Sequence, residues 1–364
     1  MPTNFAATRE LMTGSAYRTK QTGSQVYVSM HGEPLLDFAV GCRAGGSVMT
    51  PDTRVIWLCC SKPTLLIALF QAFAEAGVHE DDPVASVIPE FADAGKSDVT
   101  FSHVLTHTVP YESAGTSWTD AAGERFRDEQ EMMTSPWDVA IKMICEMPLF
   151  ARPGEVVTYT PSTNWTLLAE ALQRLTGRPH EETVRQQVLD PLGMDCTSFY
   201  VTETDLSSDE CAPLWNLTST EPEIDLMDTR PLVFGRWPGL ACRGPARDMA
   251  RPLECAAGWR GRELLAERWR DGLVSPRRFE IGDPFFNGAG IWWSLGLCAD
   301  PVGFGLSLSS RAIGHTGERS SVVFSDLTTG ITISFLSNGL VSRSADNARK
   351  RNLIRAVYTD LHLY

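Results

Sequence analysis

The chain lacks several features that would point to particular functions. It has no excess of positive charge: 32 Lys and Arg stand against 45 Asp and Glu, a formal net charge of -13 at pH 7. Nucleic acid and anionic membranes select for basic surfaces, so neither is expected as the main partner. No stretch approaches the roughly 18 to 20 uninterrupted apolar residues of a membrane span. The N-terminus, MPTNFAATRELMTGSAYRTK, has no apolar core of the kind a signal peptide needs, which makes a cytoplasmic location the expectation. Nine cysteines (42, 59, 60, 145, 196, 211, 242, 255 and 298) are odd in number and include no C-x-x-C pair. Such scattered thiols fit a reducing compartment better than a disulfide framework, and they offer no zinc site. The seven histidines form no H-E-x-x-H set; His103 and His107 are four apart but have no third ligand beside them. Internal repeats and low-complexity segments are absent too.

What is present is ordinary globular material: 364 residues, 43% hydrophobic and 21% charged, enough for one large domain or two closely packed ones. SQVYVSMHGEPLLDFAVGCRA (Ser24–Ala44) alternates apolar and polar residues and predicts a β-hairpin turning at HGEP. VIWLCCSKPTLLIALF (Val55–Phe70) then opens a helix over about residues 60–76. Its apolar positions, Leu65, Leu66, Ala68, Leu69, Phe70, Ala72 and Phe73, run nearly all round, which predicts burial. Pro63 falls in the first turn, where a missing N–H does no harm. From about 80 to 280 the pattern turns helical, loop-rich and tryptophan-bearing. Helices are expected near 136–147 and 163–176, the latter ended by Gly177. GERFRDEQEMM (Gly123–Met133) reads as a solvated loop or helix face.

GAGIWWSLGL, AIGHTG, SSVVFSDL and GITISFLSNG follow as successive strands, with turns at LTTG and SNGL. Of these, Trp292 and Trp293 are expected in the core on one face. SADNARKRNLIRAVYTDLHLY closes the chain as an amphipathic helix capped by Ser344 or Asp346. Strands at both ends and helices between predict an α/β (α+β) fold. Residues 1–79 and 281–364 would build an antiparallel sheet flanked by helices, and 80–280 an inserted, mostly helical domain, with a cleft between them.

Cys59 and Lys62 lie three apart at a helix start and so share a face. The ammonium and the helix N-terminus both favour thiolate over thiol, which singles out Cys59 over Cys60 and Ser61 as the nucleophile. Alone, a cysteine at a buried helix start is usually just a small apolar residue. Cys60 is expected to be that.

The C-x-x-K spacing resembles the S-x-x-K motif of the serine β-lactamase and penicillin-binding-protein superfamily, with cysteine in the serine's place. Four further stretches resemble the esterase-like branch related to class C β-lactamases, and they come in its order. They are FSHVLTHTVPY (Phe101–Tyr111), RPGEVVTYTPSTNWTLLAEALQRLTGRP (Arg152–Pro179), WPGLACRGPARDMAR (Trp237–Arg251) and GHTGERSSVVFSDLTTGITISFLSNG (Gly314–Gly339). The resemblance spans roughly residues 24 to 360. It implies a β-lactamase/transpeptidase-like fold and covalent acyl chemistry. Cys59 would attack an acyl carbonyl, Lys62 would stabilise and help deprotonate it, and Tyr159 would shuttle the proton. His315, Thr316 and Gly317 stand where Lys-Thr-Gly or His-x-Gly lies on the strand lining the cleft. The N–H groups of Cys59 and Glu318 would form the oxyanion hole. Pro161 replaces the asparagine of Y-x-N, and Asn164 lies nearby. His107 is expected to stabilise the fold through hydrogen bonds.

A thioester prefers an amine over water as its attacker more strongly than an oxygen ester does. The implied function is therefore an ATP-independent acyltransferase or transacylase, in secondary metabolism. It would move an acyl group from a small-molecule donor to an amine or alcohol acceptor, and it needs no metal or organic cofactor. An esterase or amidase is the second reading, and a catalytically inactive binding protein the third. A fourth makes Cys59 an engineered replacement of serine. No feature of the sequence addresses oligomeric state.

Overall fold

A computed structural model of the chain describes residues 4–43, 46–111, 132–199, 211–225, 235–278, 282–283, 289–299, 304, 309 and 311–363. Leaving two-residue strands, 3-10 turns and the π-helical stretch Arg185–Leu189 unlabelled, the elements among the described residues are α1 (Ala6–Met12), β1 (Gly23–Met30), β2 (Glu33–Gly41), α2 (Lys62–Ala76), α3 (Phe101–Leu105), α4 (Trp137–Glu146), α5 (Thr163–Thr176), α6 (His180–Val184), α7 (Ala246–Ala256), α8 (Glu267–Val274), β3 (Ala312–Gly317), β4 (Ser321–Asp326), β5 (Ile331–Ser337) and α9 (Arg343–Asp360).

The five strands form one antiparallel sheet in the order β2-β1-β5-β4-β3, drawn from both ends of the chain as expected. Side chains alternate across its faces. Val26, Val28, Val322, Phe324, Ile331, Ile333 and Phe335 pack with Leu353, Ile354 and Val357 of α9 and with Phe5 and Met12 around α1. Tyr27, Val323 and Leu336 point the other way, into a larger apolar cluster shared with α2, α4, α5 and α7. His315 is directly opposite Val323 in the register. Residues opposite one another share a face, so His315 points towards α2.

α2 is the centre of that second layer. The stretch Leu58–Ala76 is long and apolar enough to cross a membrane, but 83% of its apolar window is buried inside the protein. Burial accounts for its composition, as the all-round apolar pattern predicted. α5 stops where expected, at Gly177, whose φ of 66° is the left-handed conformation that ends helices.

Two local readings change. Among the described residues, GAGIWWSLGL does not join the main sheet as a strand: Ala289–Gly290 pairs with Gly282–Asp283. The Ser294 N–H bonds the Leu297 carbonyl at 2.9 Å, so the segment doubles back and Trp293 bridges to Cys298. The cap of α9 is Ser342, whose side chain accepts from the Ala345 N–H. Ser344 and Asp346 lie inside the helix. Of Gly123–Met133, residues 123–131 lie outside the described residues, while Met132 and Met133 are buried.

Candidate active site

Cys59 sits in a 3-10 turn, Leu58–Ser61, that runs straight into α2. The turn begins with Leu58 at φ 52°, a left-handed conformation unusual for a branched residue. Its surroundings hold it there. The Trp57 N–H bonds the Cys242 carbonyl at 2.9 Å, and the Trp57 indole N–H bonds the Gly244 carbonyl at 2.9 Å. The Cys242 N–H returns a bond to Ser61 Oγ at 3.2 Å, and Ser321 Oγ donates to the Trp57 carbonyl at 2.8 Å. Cys59 keeps 8% of its surface exposed. Cys60 is fully buried with its sulfur 3.4 Å from the His315 carbonyl, and burial pushes its thiol up to about 12. Burial of this kind fits the structural place expected of Cys60.

One turn on, Lys62 is completely buried. Its ammonium donates to the Gly239 carbonyl at 3.1 Å and lies 5.3 Å and 5.6 Å from the ring centres of Trp165 and Tyr159. Tyr159 stacks on Trp293, with 5.6 Å between centres and 11° between planes. His107 packs 4.7 Å from Tyr159, and His315 lies 6.0 Å from both Tyr159 and Trp293. The structure therefore gathers Lys62, Tyr159 and His315 into one aromatic cluster beside the Cys59 turn.

The two histidines are neutral, with opposite tautomers. His315 Nδ1 contacts the Thr316 carbonyl at 2.9 Å, so that nitrogen carries the proton. Burial, and then the charge of Lys62, hold its pKa down to about 3. His107 Nδ1 instead faces the Asn164 side-chain amide at 3.2 Å. That amide nitrogen also donates to the Val104 carbonyl at 3.0 Å, so it is a donor and His107 Nδ1 an acceptor. Burial, then Lys62 and His315, hold His107 well below its ordinary value.

β3 is the last strand of the sheet. Gly314 exchanges backbone bonds with Cys298 on the outer side, at 2.9 and 3.0 Å. Ladder bonds alternate in direction, so the N–H groups of Thr316 and, one residue past the strand, Glu318 point the same way. Neither the Glu318 nor the Cys59 N–H has a hydrogen-bond partner among the described residues. The Glu318 carboxylate is held by Arg319 at 3.1 Å and Arg343 at 3.2 Å. Thr316 is exposed, whereas Gly317 is pressed against the nucleophile turn. A Cβ there would lie 2.7 Å from the Trp57 carbonyl oxygen and 2.0 Å from Ser321 Oγ. Only glycine allows that approach.

The family model described as Beta-lactamase matches residues 6–357. The chain belongs to the Beta-lactamase family. It is 30% identical to Esterase EstB of Burkholderia gladioli over 206 residues, 53% of this chain and 51% of that one, so the match spans about half the length of that relative. A penicillin-binding-protein homologue from Caulobacter crescentus superposes with a TM-score of 0.79 at 23% identity, over 98% of this chain and 97% of that one. EstCE1, described as a hydrolase with promiscuous acyltransferase activity, gives 0.76 at 18% identity over 97% and 99%. At these identities the two superpositions establish the fold, a mixed α/β architecture on an antiparallel sheet.

In this Beta-lactamase family member, Lys62, Tyr159 and His315, which the motifs singled out, lie together beside the turn that carries Cys59. The motif spacing did not reveal Gly239 and Trp165 as the surroundings of Lys62, nor the bond between Asn164 and His107. Asn164 is spent on His107 and Val104, so its amide nitrogen does not stand in for the missing asparagine of Y-x-N. A cavity of about 460 Å³, lined by Arg43, Arg54, Arg185, Asp195, Cys196 and Ser198 among others, includes none of the candidate catalytic residues. Among the described residues, no group of three or more His, Cys, Asp or Glu could hold a metal ion.

Proposed function

We propose that this chain transfers acyl groups through a thioester on Cys59. The observation that carries the reading is the buried Lys62 ammonium, one turn from the thiol and set against the Tyr159 ring. In the first step Cys59 Sγ bonds the acyl carbon of a small ester or thioester. The bond to the leaving oxygen or sulfur breaks, and that atom takes the thiol proton by way of Lys62 and Tyr159. In the second step an amine or alcohol attacks the thioester carbon and gives up its proton by the same route. The S–C bond breaks and the thiol is restored. The Cys59 and Glu318 N–H groups would bind the oxyanion in both steps. Exposed Thr316 and the Gly317 backbone would line the substrate beside His315.

The dual description of EstCE1 supports transfer on this fold, and the likeness to Esterase EstB favours a second reading, hydrolysis of the same intermediate. One experiment separates the two. The protein is exposed briefly to p-nitrophenyl esters and acyl thioesters, its mass is taken, and peptides locate the adduct. The expected result is an acyl group on Cys59, absent from Cys59→Ala, which an added amine discharges faster than water does. Discharge by water alone selects the esterase. Full activity in Cys59→Ala, or no adduct with any donor, overturns both readings.

A further inference from the structure

His107 ties the Tyr159 segment down twice. It follows α3 at φ 55°, a left-handed conformation uncommon for a residue other than glycine. There its carbonyl accepts the Thr158 N–H at 2.8 Å, and the next carbonyl, of Thr108, accepts the Gly154 N–H at 2.9 Å. The chain entering Tyr159 is thus hung on this turn. The imidazole adds a second hold, packing against Tyr159 at 4.7 Å and Trp293 at 4.5 Å.

Asn164 fixes the ring itself. Its amide donates to Nδ1 at 3.2 Å, which leaves the proton on Nε2. That nitrogen is buried and has no hydrogen-bond partner among the described residues. A phenyl ring could fill the same volume, but it could neither accept from Asn164 nor present an N–H to the cluster. A charged imidazole would repel the ammonium of Lys62.

We propose that His107 is the positioning residue of the proton-handling pair: clamped by Asn164 as the Nε2–H tautomer, it holds Tyr159 against Lys62 and keeps an uncharged donor beside them. This rests on the reading in which Lys62 and Tyr159 move the proton.

Two measurements test it. Nitrogen-15 histidine spectra of the wild-type protein should show His107 protonated on Nε2 and His315 on Nδ1. A His107 ring protonated on Nδ1 overturns the inference, and it needs no variant to fold. The second is His107→Asn, assayed with p-nitrophenyl butyrate. Asparagine tolerates the left-handed backbone and can still accept from Asn164, but it is too short to reach Tyr159. The expected result is a kcat per folded protein about 10- to 100-fold lower with little change in KM, as for a misplaced reacting group, alongside the lower melting temperature that losing a buried ring brings. Added to Tyr159→Phe, the same substitution should change kcat less than about twofold, because both act at one point. Independent, multiplying losses, a change confined to KM, or activity lost only in proportion to folded protein overturns the proposal. If Cys59→Ala abolishes turnover and Tyr159→Phe lowers it sharply while His107→Asn does not, this inference alone falls. If those two variants keep full activity, the functional reading falls and takes the inference with it.

Discussion

The Lys62 ammonium sits 5.3 Å from the centre of the Trp165 indole and gives one of its protons to the Gly239 carbonyl at 3.1 Å. A charge held this way gains from the ring faces and the carbonyl dipole but forgoes the hydration it would have in water. Its contribution to stability and its part in the proposed acyl transfer can therefore differ.

Lys62→Met should therefore separate the two. Methionine keeps most of the volume and removes the desolvated charge, so the melting temperature should hold or rise. Acylation of Cys59 should slow by at least about a hundredfold, the usual scale for losing a proton-transfer group. Stopped-flow release of p-nitrophenol measures the second effect. A variant that melts lower yet acylates at the native rate would give Lys62 a structural role only.

Gly317→Ala tests the fit of the edge strand against the nucleophile turn. The new methyl would meet Ser321 Oγ and the Trp57 carbonyl, which already bond each other at 2.8 Å. Neither can withdraw without breaking that bond, so β3 must move outward. Stability should fall by about 1–3 kcal/mol, as in other overpacked sites. The acylation rate should fall further than the melt explains, because the Glu318 N–H moves with the strand. Native kinetics in this variant would remove Glu318 from the oxyanion hole.

Acid should weaken the fold through the buried histidines. As the pH drops below the ordinary value of 6.5, the unfolded chain protonates its imidazoles, whereas His315 in the folded protein resists until about 3. Burial, and then the charge of Lys62, hold His107 well below its ordinary value too. The unfolded state thus binds more protons across that window, and each ring lowers stability by up to about 1.4 kcal/mol per pH unit as the pH falls. Urea melts at pH 7, 6 and 5 would show the loss, and His315→Gln should flatten its slope. An unchanged slope in that variant would place the titration elsewhere.

Thiol chemistry should sort the cysteines by burial. Burial pushes Cys60 and Cys255 up to about 12 and Cys145 to about 11, and holds Cys242 well above its ordinary value. Iodoacetamide at pH 8 should leave all four unmodified until denaturant is added, as peptide mapping would show. Rapid native labelling of Cys60 would mean that the turn carrying Cys59 opens.

Cys59→Ser should shift partition between acceptors. An oxygen ester favours amine over water less than a thioester does, so the ratio of transfer product to free acid should drop at fixed amine concentration. Chromatography of the two products reads it directly, and an unchanged ratio would detach acceptor choice from the nucleophile.

Much of this was legible along the chain because its signals are local. The hairpin turning at His31 and Gly32, the all-round apolar α2 and the Gly177 stop of α5 each depend on neighbours a few residues away. So does the spacing of Cys59 and Lys62. The surroundings of Lys62 were not legible, since Trp165 and Gly239 reach it from distant segments. Nor was the partner of Asn164, because only the packing of α5 against α3 brings His107 to it. Trp293 misled for a related reason: its segment has strand-like composition, and the Ser294–Leu297 turn outweighs it.

The sheet order has a consequence for how the molecule comes into being. The Gly23 N–H is bonded by the Asn338 side chain, 315 positions away, and β1 lies between β2 and β5. A growing chain therefore releases the Cys59 turn and everything from α2 to α8 while β1 still awaits β5 as its second neighbour. Until Ile331–Ser337 has left the ribosome, the hairpin carries an open edge and the helical layer has no completed sheet to cover. Packing of the helical layer onto a complete sheet waits on β4 and β5.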